Sequence, residues 1–342
     1  MTGGTAATGS GPVAEAEWAR AVKSLDGAEQ VCLACHVRPD ADALGSMLAL
    51  AHALSSRPGH PAKVVASFGD DPFEVPDILT FLPGLERLSP PASYPARPEV
   101  MVSFDAASID RLGLLAEPAA AAGELIVLDH HASNTGFGTI NLVDPGAAAT
   151  AVLGAELVDW LAVPLTQPIA LGLYAGLVTD TGSFKFSSTT PGVHLLAGRL
   201  LQTGIDPGAI SRRLYDTAPF GYLGMLAASL SRAVLEPASV GGLGLVWTTV
   251  TKADRAPAAL PLDAAESVID VIRKTAEAEV AVVLKEADDG SWQISARSKS
   301  VVDVGAACTA LGGGGHIRAA GFSHVGGPDA AVSALRPLLE TQ

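Results

Sequence analysis

Four short segments of the chain place acidic or imidazole side chains where an apolar run gives way to a polar turn. They are CHVRPDADALGS at 35–46, VSFDAAS at 102–108, VLDHHASN at 127–134 and GLVTDTGSF at 176–184. One aspartate in such a place is ordinarily a helix cap or a loop residue. Asp40, Asp42, Asp105 and Asp180 taken together are different, because four carboxylates gathered in one place resist ionisation unless cations compensate them. With His36 and His130 they make a mixed oxygen and imidazole donor set. That set suits Mn²⁺, with Mg²⁺, Co²⁺ or Fe²⁺ as competitors, better than a thiolate zinc site. Two such ions, about 3.5–4 Å apart, lower the pKa of a shared water and clamp phosphoryl oxygens during in-line attack. The chemistry expected is metal-assisted phosphoester hydrolysis.

For these side chains to meet, the chain must put them on one edge of a sheet. Apolar runs at 31–35, 63–67, 100–104 and 125–128 read as strands, and Leu44 to Leu54 reads as a helix between two of them. This alternation predicts an α/β domain with a doubly wound, mostly parallel sheet, whose strand ends share one edge. After about residue 204 the pattern changes. Strands are expected at 244–250, 279–284 and 292–296, with a DDG turn at 288–290. Asp263 is expected to cap a helix reaching Ala276, with Glu266 completing a capping box, and 329–339 reads as a closing helix. This half is a smaller α+β domain. The boundaries expected are a disordered tail at 1–14, a catalytic domain at 15–204, a helical linker at 205–235 and a substrate domain at 236–342, with a cleft between the domains.

Composition bounds the rest. The 342 residues, 48% of them hydrophobic, suffice for two cores, and a net charge of −14 opposes broad wrapping of long duplex nucleic acid. The longest apolar run, Pro168 to Val178, is far short of the roughly 20 residues of a membrane span. Three cysteines make no disulfide framework and fit a cytoplasmic setting. Cys32 and Cys35 lie within a strand rather than at a helix start, and read as buried structural thiols.

At the quoted motifs the sequence closely resembles the DHH/DHHA1 phosphoesterases, in particular the bacterial bifunctional oligoribonucleases (nano-RNases) that also act on 3′-phosphoadenosine 5′-phosphate. The triplet is Asp129-His130-His131, and the other motifs are His36-x-x-x-Asp40-x-Asp42, Asp105 and the Asp180 of VTDTG. The glycine-rich signature of the second domain is similar to Gly312–Gly315 with His316 and Ala319-Ala320-Gly321, preceded by SARSK at 295–299. The resemblance implies that His36, Asp40 and Asp105 hold one metal, while Asp42, His130, Asp180 and the same Asp105 hold a second. It implies that Asp129 supports the site from behind and that His131 stands beside the scissile phosphate, able to stabilise charge or protonate the leaving oxygen.

Arg297, Ser298, Gly314, Gly315 and His316 are the expected substrate contacts, the glycines by letting backbone N–H groups approach an anion. Asn134 is a further polar candidate. A cleft of fixed span would select mononucleotide- and dinucleotide-sized substrates: short oligoribonucleotides, 3′-phosphoadenosine 5′-phosphate, and cyclic di-AMP or its linear product. The alternatives are a manganese-dependent inorganic pyrophosphatase, a processive single-strand exonuclease, which needs more domains and a basic channel, and a non-catalytic nucleotide-binding protein. A homodimer is compatible with the sequence.

Overall fold

The computed structural model describes residues 13–57 and 63–340. All but the last two residues of the expected N-terminal tail lie outside them. The chain divides into two compact units that meet at Asp216/Thr217.

In the first unit, α1 (Glu15–Gly27) buries Trp18, Ala21 and Leu25, one face at helical spacing. It is followed by β1 (Gln30–Cys35), α2 (Ala41–Ser56), β2 (Lys63–Phe68), β3 (Val100–Phe104), α3 (Ala116–Ala120), β4 (Glu124–Asp129) and β5 (Ile140–Val143). The unit ends with α4 (Thr150–Trp160), α5 (Gln167–Asp180), α6 (Pro191–Leu201) and α7 (Pro207–Tyr215). All five strands pair in parallel, in the order β2-β1-β3-β4-β5. Alternate strand residues therefore serve two cores. Val31, Leu33, Val102, Phe104, Ile126 and Leu128 pack beneath the long helices, while Cys32, Ala34, Met101 and Val127 pack on the other face against Leu112, Leu115 and Tyr94. That second face is covered more thinly, by the 3₁₀ stretch Ile109–Leu115 and by α3. The apolar run at 168–178 is the buried α5, and no helix among the described residues is long and apolar enough to cross a membrane.

Two glycines set how closely α2 and α5 approach. A Cβ on Gly45 would stand 2.4 Å from the Gly172 carbonyl oxygen, and one on Gly172 would stand 2.5 Å from that of Gly45. Only glycine lets these backbones touch, and α2 and α5 carry Asp42 and Asp180.

The second unit contains α8 (Gly221–Leu230), β6 (Val234–Glu236), β7 (Leu245–Val250), α9 (Lys252–Arg255), α10 (Val268–Ile272) and β8 (Val280–Glu286). It continues through β9 (Trp292–Ser298), α11 (Val304–Ala310), β10 (Gly314–His316), β11 (Ala319–His324) and α12 (Pro328–Glu340). Its sheet runs β10-β11-β9-β8-β7-β6, antiparallel except for the parallel pair β7/β8. Packing of α11 and α12 makes one core, and α8 with α10 makes another on the opposite face.

Two expectations are corrected here. The stretch expected as a helical linker is split, because α7 belongs to the first unit and α8 to the second. The helix expected from Asp263 to Ala276 breaks into a 3₁₀ turn, Leu262–Ala265, and the short α10. Asp263 lies inside that turn and caps nothing there. Glu266 turns instead toward the sheet, where it pairs with Lys285 and accepts a hydrogen bond from Ser295 (3.0 Å), so a tertiary ion pair displaces the local capping box. The glycine-rich segment leads into an edge strand in which Gly314 pairs with Gly321 and His316 with Ala319.

Candidate metal centre and active site

The parallel register aligns Cys35 with Phe104, and Phe104 with Leu128, so His36, Asp105 and the Asp129-His130-His131 triplet all emerge at the same sheet edge. Asp105 leaves β3 in the left-handed region, with φ of 57°, while its N–H still donates to the Leu128 carbonyl (2.9 Å). That turn aims a carboxylate across the strand ends. Asp40 caps α2 by accepting from the N–H groups of Asp42 and Ala43. Asp42, in the first turn, is fully buried and accepts from the N–H groups of Thr150 (2.6 Å) and Ala151 (2.8 Å), where the positive end of α4 meets it.

The geometry centres on Asp105. One of its oxygens lies 3.4 Å from His36 Nε2, and the other lies 3.5 Å from His130 Nε2 and accepts from the Thr150 hydroxyl (2.8 Å). His130 Nε2 is also 3.2 Å from Asp180, and His36 Nε2 is 3.8 Å from Asp40. Donor atoms of His36, Asp40 and Asp105 form one group within 4.8 Å of one another, and those of Asp42, His130 and Asp180 form a second. All six expected metal ligands are therefore brought together in the first unit.

Two observations show that the donors suit metal ions. His36 Nδ1 faces the Val37 carbonyl at 2.9 Å, and His130 Nδ1 faces the Ala147 carbonyl at 3.2 Å. A carbonyl only accepts, so each Nδ1 carries the proton, and in the neutral ring the Nε2 lone pair points at the carboxylates. Lone pair against carboxylate is repulsive unless a cation lies between. The titration behaviour agrees. Burial would lower His36, but its contacts with Asp105 and Asp40 win and raise it to about 9. Burial raises Asp180 to about 6 despite the His130 contact, and burial with the Asp180 charge lifts Asp42 well above the carboxylate range. Asp105 moves the other way, because three imidazoles outweigh its burial. The crowded carboxylates and imidazoles thus hold protons tightly, as a donor set built around positive charge would.

Behind it, Asp129 is fully buried and accepts from His131 Nδ1 (2.7 Å) and from the Asn134 amide (2.6 Å). Burial lowers His131, but Asp129 outweighs it and the ring's pKa is raised. Asn134 also donates to the Ala106 carbonyl and accepts from the Gly136 N–H, so its amide is engaged within the loop. Thr150, which bonds Asp105 through its hydroxyl and Asp42 through its N–H, went unread in the sequence, since no local pattern ties it to residues more than forty positions away.

In the second unit Gly314 and Gly315 are exposed, and His316 and Arg297 are half-buried. Ser298, the last residue of β9, is 4% exposed with its hydroxyl buried. Cys32, Cys35 and Cys308 are free and buried, and burial raises each thiol, Cys32 to about 11 and Cys308 to about 12.

A strand-end cluster of carboxylates and oriented imidazoles on a parallel sheet is the centre of a metal-dependent phosphoesterase. The DHH family N-terminal domain matches residues 30–177 and the DHHA1 domain matches residues 255–339, and the chain belongs to the DHH/DHHA1 phosphoesterases. It is 35% identical over 311 residues to the bifunctional oligoribonuclease and PAP phosphatase NrnA of Thermus thermophilus, covering 89% of this chain and 86% of that one. The NrnA of Bacillus subtilis is 29% identical, over 57% of this chain and 60% of that one. An exopolyphosphatase-related protein of Bacteroides fragilis shares the fold, with a TM-score of 0.83 at 23% identity over 96% of both chains.

Proposed function

We propose that the protein hydrolyses short oligoribonucleotides to mononucleotides and removes a phosphate from 3′-phosphoadenosine 5′-phosphate, using two Mn²⁺ ions. The observation that carries this is Asp105, whose two carboxylate oxygens face two differently held imidazoles, as a ligand shared by a metal pair would. His36, Asp40 and Asp105 would hold one ion, and Asp42, His130, Asp180 and Asp105 the other. When bound, the ions supply positive charge to the phosphoryl oxygens and activate the attacking water. The chain's own groups do the rest. Nδ1 contacts to backbone carbonyls hold His36 and His130 in the ligating tautomer. Asp129 keeps His131 oriented and favours its charged form, which suits it to stabilise the departing oxygen or hand it a proton. Asn134 fixes Asp129 in turn.

The second unit would bind the remainder of the nucleotide through Arg297, His316 and the backbone of Gly314 and Gly315. The relatives named oligoribonuclease and PAP phosphatase support this substrate class. The buried free thiols fit a cytoplasmic setting. The test is to incubate the purified protein and Mn²⁺ with a ribodinucleotide, 3′-phosphoadenosine 5′-phosphate, cyclic di-AMP and inorganic diphosphate. Turnover of the first two is expected. Hydrolysis of diphosphate alone would overturn the reading.

A further inference from the structure

Three strand-end loops of the first unit interlock beside His36 and Asp105, and they bring along two arginines that the metal centre does not use. The Val37 N–H donates to the Arg111 carbonyl (2.9 Å), the Leu114 N–H to the Gly69 carbonyl (3.0 Å) and the Arg38 N–H to the Asp70 carboxylate (2.6 Å). The junction leaves little slack. A Cβ on Gly69 would stand 2.0 Å from the Leu112 carbonyl oxygen, and one on Gly113, at φ of 55°, would stand 2.3 Å from Val37 Cγ1. Arg38 itself takes a left-handed backbone, with φ of 53°. It stands between two expected metal ligands, His36 and Asp40, in a loop tied to the one that carries Arg111.

Arg111 is exposed, and among the described residues its guanidinium makes no ion pair or side-chain hydrogen bond. Burial of its inner atoms and then the charge of Arg38 hold it below its ordinary range, against the pull of Asp105, Asp40 and Asp70. Two arginines on an ordinary solvated face would swing apart. Here the loops fix their backbones at the rim of a phosphoester site. Planar guanidinium groups at such a rim match a phosphate in two-pronged fashion.

We propose that Arg38 and Arg111 form an anion subsite bordering the metal centre, which takes a phosphate of the nucleotide other than the one being cleaved. This rests on the phosphoester reading above. The scissile phosphate has the metal pair to balance its charge, whereas a neighbouring phosphate of the same substrate needs a partner outside it.

The test compares pairs of substrates that differ by one phosphate: a ribodinucleotide with and without a 5′-phosphate, and a ribotrinucleotide against the dinucleotide. Wild type, Arg111→Ala, Arg111→Lys and Arg38→Ala are assayed with Mn²⁺ for kcat and KM. In one of the pairs, Arg111→Ala should remove about tenfold of the advantage given by the extra phosphate, through KM, with Arg111→Lys restoring part of it. A change below threefold in both pairs, in Arg111→Ala and Arg38→Ala alike, would overturn the proposal. If no nucleotide is cleaved at all, the phosphoester reading fails instead. The subsite then stands or falls on calorimetric binding of 3′-phosphoadenosine 5′-phosphate to the metal-free protein, which should weaken about tenfold in Arg111→Ala and would refute the subsite if unchanged.

Discussion

Asp105 combines a strained backbone with a carboxylate that faces both imidazoles, and a non-glycine residue is kept in such a conformation, at a cost of about 1–3 kcal/mol, only where its surroundings over-determine it. Asp105→Ala keeps the Cβ and with it the strain, and should lower kcat/KM at least about 10³-fold on every substrate, roughly 4 kcal/mol of lost transition-state stabilisation. Thermal unfolding of the metal-free variant should show it folded. A loss confined to one substrate would mean that the two metal groups act separately. Asp129 makes a subtler case, because its carboxylate accepts from His131 and Asn134 and it belongs to neither group of proposed metal ligands. Asp129→Asn should lower kcat about 10–100-fold with KM little changed, as removal of a histidine's orienting partner does, and steady-state kinetics separate this from a binding defect. The six positions proposed as metal ligands could be picked out of the sequence because each motif is local, an apolar run followed by a polar turn, at a strand end for His36 and Asp105 and at the end of α5 for Asp180. The surroundings of Asn134 and Ser298 were not legible there, because polarity alone does not say whether a side chain is engaged within its loop or buried on its strand.

Helices α2, α4 and α5 hold what the strands do not, and their glycines do the positioning. A Cβ on Gly176 would fall 2.4 Å from Asp42 Oδ1 and 2.8 Å from its Cα, in a region with no room to yield. Gly176→Ala should therefore destabilise the fold by about 1–3 kcal/mol through overpacking and weaken Mn²⁺ binding as well. Gly198→Ala on α6, where nothing lies within 4 Å, should be neutral or stabilising by up to about 1 kcal/mol. Thermal melts and metal titrations of the two variants give the comparison, and equal effects would remove the special role of Gly176. In the second unit, Glu236 on β6 accepts from Arg336 on α12 and from the Trp247 indole, chiefly the former, which lowers its carboxyl to about 2. Its folded pKa lies below the unfolded value, so the stabilisation is present above about pH 4.5 and fades as the pH falls toward 2. Glu236→Gln should cost about 1 kcal/mol at pH 6, discounted for partial exposure, and almost nothing near pH 2 by denaturant titration. The helix expected at Leu44 to Leu54 could be read from its apolar spacing and lies within α2, whereas the expected Asp263–Ala276 helix could not be judged locally. Glu266 serves Lys285 on β8, and that partner is visible only once the sheet exists.

For the molecule as a whole, metal binding and pH are linked through one balance of charge. Asp180 is raised in the metal-free fold, so folding binds its proton more tightly than the unfolded chain does, and stability falls as the pH rises from about 3.8 toward 6. His36 is raised too, and the stability it lends is full below about pH 6.5 and lost as the pH rises through 9. Both effects weaken the chelated protein as the solution becomes more alkaline. Metal affinity moves oppositely, since ligands must shed protons to bind, and acid competes for the same lone pairs. The gap in melting temperature between Mn²⁺-loaded and chelated protein should thus widen steadily from pH 5 to pH 8. With free Mn²⁺ at about a hundred times its dissociation constant, binding adds about 2.7 kcal/mol. For a domain of this size that corresponds to a rise of about 5–10 °C at pH 8, shrinking to a degree or two at pH 5. Scanning calorimetry over that range measures it. A gap that stays constant with pH would mean that the carboxylates and imidazoles at the strand ends are not what the ion displaces protons from, and the metal centre would have to be sought elsewhere in the chain.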